Sequence, residues 1–119
     1  MCIKMEIKID KEDIVIINKR LGGDLSRDGS LDFAIDKANQ EKRNPYRKIA
    51  YLVRAIIVDH PFSDGNKRTA LEIVVKELYR YEIECNIEKL TKIITKTAKK
   101  NIHEIIKIER MLRKCCQKE

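Results

Sequence analysis

Residues 60–68 read His-Pro-Phe-Ser-Asp-Gly-Asn-Lys-Arg, a run whose residue types suit the handling of a phosphate-bearing group. A neutral imidazole at His60 can take a proton from an incoming hydroxyl near neutral pH. Asp64 is a hard oxygen ligand, suited to Mg²⁺ bridging phosphate oxygens. Gly65 allows positive φ and close backbone approach. Asn66, Lys67 and Arg68 fall in a first helical turn, where unpaired N–H groups, the helix dipole and side chains can converge on an anion. Pro61 fixes the turn, and Phe62, the one apolar side chain of the run besides the proline ring, is placed to anchor it in a core. A base, a metal ligand and an anion cradle this close together fit transfer of a phosphate-containing group to a hydroxyl, a reaction that depends on positioning and charge stabilisation. The run is not a P-loop, because the G-x-x-x-x-G-K-[ST] spacing is missing. Taken singly, a His-Pro turn, an Asp-Gly turn and two exposed cations are ordinary structural features. Their concentration in one loop between two apolar helices makes the reading functional.

Helical periodicity dominates the elements that must position this loop. Asp10 reads as an N-cap for a helix over about 11–21, ended by Gly22-Gly23. Residues 24–29 form a polar loop rich in turn formers. Ser30 could cap a short helix to about Asn39, with Leu31, Ala34, Ile35 and Ala38 on one face. Asn44-Pro45 is a cap followed by proline at the first helical position. Ile49, Leu52, Val53, Ile56 and Ile57 then keep the spacing of a buried stripe. Pro61 disfavours helix at His60, so this helix ends near Asp59. A second long helix runs from about Asn66 to Tyr81; its broad apolar face (Ala70, Leu71, Val74, Val75, Leu78) predicts a central place. Asn86 caps a further helix, and Asn101 with Glu104 reads as a capping box for the last one. Ile3, Met5, Ile7 and Ile9 alternate with polar residues and predict a short extended lead-in. The expected fold is all-α, a compact single domain over residues 1–119 with about six helices and the motif loop between two central ones.

Composition agrees. The chain has 119 residues and 43% hydrophobic content, enough for one modest core. With no Trp and few aromatics, that core must be Ile, Leu, Val and Ala. No signal peptide and no membrane-span-length apolar run is present, so a cytoplasmic protein is expected. Cys2, Cys85, Cys115 and Cys116 form no C-x-x-C pair, so neither structural zinc nor a disulfide framework is expected. Net charge is +7, and from Asn86 to Glu119 ten Lys and Arg stand against four Glu, a local +6. This is the pattern of a solvated face; an acidic partner is the sharper reading. Nucleic acid is not expected, as no aromatics interleave with the cations. His103 reads as a plain surface histidine.

The run from His60 to Arg68, continued by Thr69-Ala70, resembles the signature of the Fic/Doc family, H-P-F-x-[DE]-G-N-[GK]-R. The upstream Gly22-Gly23 and the Leu31-Asp-x-Ala34 helix are similar to the Doc (death-on-curing) toxin branch. The resemblance implies that His60 is the general base for a target-protein hydroxyl and that Phe62 packs the loop into the core. It implies that Asp64 holds Mg²⁺ on the phosphates of ATP or another nucleotide, that Gly65, Asn66 and Lys67 form the anion hole, and that Arg68 grips a phosphate.

The chain departs from the pattern of members that transfer AMP. Those typically have Gly where this chain has Lys67, and a second Arg where it has Leu71. Both changes resemble Doc, whose family chemistry is phosphorylation of elongation factor Tu; Pro61 and Gly65 follow the Fic pattern. The resemblance therefore implies a toxin that phosphorylates a protein hydroxyl, with AMP transfer as the alternative. A non-catalytic basic binding module is the reading from a different class, and the completeness of the loop argues against it. No [ST]-x-x-x-E-[GN] inhibitory helix occurs in the sequence, so restraint would come from a separate antitoxin. The only candidate for the target-aligning flap of the family is the short segment from Gln40 to Asn44.

Overall fold

The computed structural model describes residues 8–116. Six helices follow one another: α1 (Lys11–Arg20), α2 (Gly29–Gln40), α3 (Pro45–Asp59), α4 (Asn66–Arg80), α5 (Ile87–Lys99) and α6 (Ile105–Cys116). Among the described residues no helix is long and apolar enough to cross a membrane. The expected extended lead-in at Ile3, Met5 and Ile7 lies outside the described residues. Its last member, Ile9, is buried, and its backbone N–H and C=O are both held by the Asn39 side chain (2.8 and 3.1 Å).

Several helix ends follow from local side-chain chemistry. Asp10 accepts from the Glu12 N–H, Asn44 from Tyr46 and Arg47 N–H ahead of Pro45, and Asn86 from Lys89 N–H. Each satisfies donors that the helix leaves orphaned. Gly22, at φ 92°, ends α1 in the left-handed conformation that glycine adopts without steric cost. Two expected caps differ. Ser30 lies inside α2, after Asp28 at the N-cap, and its hydroxyl donates to the Asp59 carboxylate, tying the start of α2 to the end of α3. The capping box at Asn101 does not form. Asn101 sits at φ 52°, and α6 starts only at Ile105, with Ile102 buried ahead of it.

The hub is α3, and α4, packed against α1, α3 and α5, is central beside it. Its stripe of Ile49, Leu52, Val53, Ile56 and Ile57 is fully buried, and α3 packs against α2, α4, α5 and α6. Each such side chain contributes roughly 1.5–3 kcal/mol on burial. A buried carboxylate fastens α6 to α3: Glu109 accepts from Arg47 (2.8 Å), Arg113 (3.0 Å) and Asn44 Nδ2 (2.7 Å). Burial by itself would raise the Glu109 carboxyl, but these donors outweigh it and hold the group below its ordinary value. Glu77 goes the other way. Burial, the largest cause, raises it against the pull of Arg80 and Lys48.

The cysteines do not behave as expected. Cys85 and Cys116 are joined as a disulfide across 31 residues, and the free Cys115 lies 3.0 Å from the Cys85 sulfur. Nothing local in the sequence pairs them; the loop after α4 folds against the end of α6 and brings them together.

Candidate active site at the head of the fourth helix

The loop between α3 and α4 is held by contacts within the chain. His60 ends α3 in the left-handed region (φ 50°, ψ 64°), a conformation that costs a non-glycine residue on the order of 1–3 kcal/mol and persists only where its surroundings impose it. The next residues supply that restraint. Pro61 is buried, and its carbonyl accepts from Ser26 N–H (2.8 Å), Arg27 N–H (3.0 Å) and the Ser26 hydroxyl (3.2 Å). Phe62 is buried in the core and forms an antiparallel bridge with Leu25. Ser63 N–H donates to the Asp24 carbonyl, and the Ser63 hydroxyl accepts from Asp24 N–H. Residues 24–27, a plain polar turn by sequence, thus run along the motif as a clamp. His60 itself is exposed.

The second half of the loop is held from beneath. Asn18, fully buried on α1, donates through Nδ2 to the Asp64 carbonyl (2.8 Å) and to the Thr69 hydroxyl (3.0 Å). Gly23 passes so close that a Cβ there would collide with the Asp64 carbonyl and the Asn18 amide. The Asp64 side chain is exposed, and its Oδ1 accepts from Gly65 N–H (2.8 Å). Gly65 sits at φ 73°, and this dihedral rather than space calls for glycine, since a Cβ would make only ordinary contacts. The Asn66 side chain is committed to the loop: Oδ1 accepts from Phe62 N–H and Nδ2 donates to the Phe62 carbonyl. The Asn66 backbone N–H remains available to a ligand.

The start of α4 is chemically unlike the starts of α1, α3 and α5. Gly65 at its N-cap offers no side chain where those helices have Asp10, Asn44 and Asn86, and, as in α3, no acidic residue lies in its first turn. The first backbone bond into the helix is Thr69 N–H to the Gly65 carbonyl, so the N–H groups of Asn66, Lys67 and Arg68 have no intrahelical acceptor. Lys67 and Arg68 project from the same turn, both exposed, and neither forms an ion pair among the described residues. Cations there oppose the helix dipole. An anion would satisfy the N–H groups, the dipole and both side chains together. Leu71 is half-buried against the core.

The nine motif residues therefore come together in one loop. The sequence reading missed what holds it, namely Asn18, Thr69, Gly23 and the clamp of residues 24–27. One signal was available: Asn18 continues the buried side of α1 after Ile14 and Ile17, and an amide on an apolar face must have a buried partner. The flap candidate is a tight turn in which Glu41 Oε2 accepts from Arg43 and Asn44 N–H. His103 is exposed, and its Nδ1 lies 3.1 Å from the Asn101 carbonyl.

Fold and loop define an all-α domain in which an exposed histidine stands beside a helix start whose first N–H groups have no intrahelical acceptor. A model of the Fic/DOC family matches residues 8–78, which takes in α1 to α3, the motif loop and nearly all of α4. The chain belongs to the Fic/Doc family, whose members are generally transferases that carry nucleotide or phosphate groups to proteins. No curated protein and no solved structure matches it.

Proposed function

We propose that this protein is a Doc-like toxin that transfers phosphate from ATP to a Ser, Thr or Tyr hydroxyl of a target protein such as elongation factor Tu, restrained by a separate antitoxin. The observation that carries the reading is the start of α4, where three N–H groups without an intrahelical acceptor and two cations share one turn, and among the described residues no side chain caps or pairs with them. Such an arrangement is costly without an anion and well matched to a polyphosphate.

The donor set also suits Mg²⁺. Asp64 presents an exposed carboxylate with one oxygen used by its own turn, and it would hold the ion, which when bound would neutralise phosphate charge. The chain's own groups have distinct tasks. Gly65 lets the backbone approach the phosphates, the N–H groups of Asn66 and Lys67 line the anion hole, and Arg68 grips a phosphate. His60, exposed at the end of α3, takes the proton of the target hydroxyl. Asn18, Phe62 and Pro61 keep those groups in register. Lys67 and Leu71 favour phosphate over adenylate delivery, because the second arginine of AMP-transferring members has no counterpart here.

The test is incubation of the protein with ATP, Mg²⁺ and cell extract, followed by intact-mass measurement of modified proteins. A phosphate increment, lost with His60→Ala, supports the proposal. An adenylate increment replaces it with AMP transfer. No modification, with His60→Ala behaving as the parent protein in cells, overturns both and leaves a binding module.

A further inference from the structure

At the far end of α4, about 22 Å from Gly65 at 1.5 Å per helical residue, three sulfurs converge. Cys85 lies in the loop after α4, and Cys115 and Cys116 close α6; the three Sγ atoms all lie within 4.8 Å of one another. Tetrahedral zinc with sulfur ligands at about 2.3 Å places those sulfurs about 3.8 Å apart, so small side-chain adjustments would convert the cluster into a ligand set. Cys116 is buried and Cys85 and Cys115 are half-buried, which shields two or three ligands while leaving access. That access is a cavity of about 580 Å³, lined by Leu78, Ile83, Lys89 and Leu90 as well as the cysteines. It leaves a fourth position for water. Three thiolates on a divalent ion carry one net negative charge. Cys115 and Cys116 lie in the basic third of the chain, and the cavity wall carries Lys89, which favours that charge, as well as Glu84, which opposes it.

We propose that in the reduced protein Cys85, Cys115 and Cys116 form a three-thiolate zinc site, and that formation of the Cys85–Cys116 disulfide empties it. A dithiol reductant breaks the S–S bond and delivers two electrons and two protons, becoming a disulfide itself. Zinc then forms three Zn–S bonds as three thiol protons pass to solvent. Oxidation reverses the order: a disulfide-bearing oxidant takes two electrons from Cys85 and Cys116, and the ion leaves with one thiolate remaining. Soft thiolate ligands select zinc over the magnesium expected at the motif loop, so the two sites would not compete. The site would staple the end of the motif helix to the end of α6 when reduced, as the disulfide does when oxidised.

The test uses the full chain with Cys2→Ser, reduced by a phosphine and titrated with Cd²⁺ alone as the probe. One equivalent should bind, with the ultraviolet thiolate-to-cadmium charge-transfer band rising to a sharp endpoint and the melting temperature increasing. Cys115→Ser should weaken binding at least tenfold and lower the band, although that variant keeps the disulfide pair. A band undiminished by Cys115→Ser, no binding by the reduced chain, or one ion shared between two chains overturns the proposal. Should the serine variants fail to fold, the oxidised parent protein decides: it must bind cadmium at least tenfold more weakly than the reduced form, and uptake equal to the reduced form sinks the idea.

Discussion

Asn18 carries the sharpest test of how the loop is held. It is fully buried and donates to the Asp64 carbonyl and the Thr69 hydroxyl. Two neutral hydrogen bonds are worth about 1 kcal/mol each, and Asn18→Ala should therefore destabilise by about 2 kcal/mol. The Oδ1 of Asn18 has no partner, so its removal costs nothing further. For a domain of this size that is a fall in melting temperature of about 8 °C. The isosteric Asn18→Asp should do worse, because it turns the donor into a buried carboxylate facing a carbonyl, an uncompensated charge worth roughly 3–5 kcal/mol. The sign with pH is set by that carboxyl. Its folded pKa would be raised, so the penalty applies above that value and fades as pH falls toward the unfolded value of about 3.9. Denaturant titration of both variants across pH, alongside the initial rate of protein modification, measures the effect. Transfer should fall for both, since Asp64 loses the anchor of its backbone. An Asn18→Ala protein within 0.5 kcal/mol of the parent, with an undiminished rate, would refute the argument.

Arg68→Ala should abolish transfer, and Lys67→Ala, which keeps its backbone N–H, should weaken it, both leaving the melting temperature unchanged or higher, since each removes a cation that opposes the dipole by about 0.3–1 kcal/mol; a lower melting temperature would mean these cations serve the fold. Gly23→Ala should lower both stability and activity, because its Cβ would strike the Asp64 carbonyl and the Asn18 amide; Gly22→Ala, with open space around it but φ at 92°, should cost only the roughly 1 kcal/mol of backbone strain. His60→Ala should reduce the rate by roughly a hundred- to ten-thousand-fold with intact folding, seen as an unchanged circular dichroism melt. Two carboxyls move stability with pH in opposite senses. Glu109, held low, stabilises above the usual carboxyl range near 4.3 and loses that contribution as pH falls through its folded value, so Glu109→Gln should flatten the acid limb of the denaturation curve. Glu77, raised by burial, costs stability at neutral pH and ceases to as pH falls, so Glu77→Gln should stabilise at pH 7 and become neutral in acid.

The pieces visible in the sequence were those whose physics is local. Asp10, Asn44 and Asn86 cap helices through contacts two or three residues away, and the buried stripe of α3 follows from its own spacing. The motif is contiguous, so its residue types alone pointed to a proton acceptor, a hard-cation ligand and an anion cradle. Ser30 and Asn101 misled for the same reason. A competing partner, Asp59 across 29 residues, took the Ser30 hydroxyl, and a left-handed turn at Asn101 delayed α6. The tertiary structure alone decided which helix is the hub and that Asn66 spends its side chain on Phe62. It likewise brought Asn18 beneath Asp64 across 46 residues, laid residues 24–27 along the motif, and gathered Cys85 with Cys115 and Cys116. Each of these depends on two segments meeting only after the core between them has closed. Spacing along the chain carries no record of such meetings, which is why candidate residues could be named from this sequence and the framework that holds them could not.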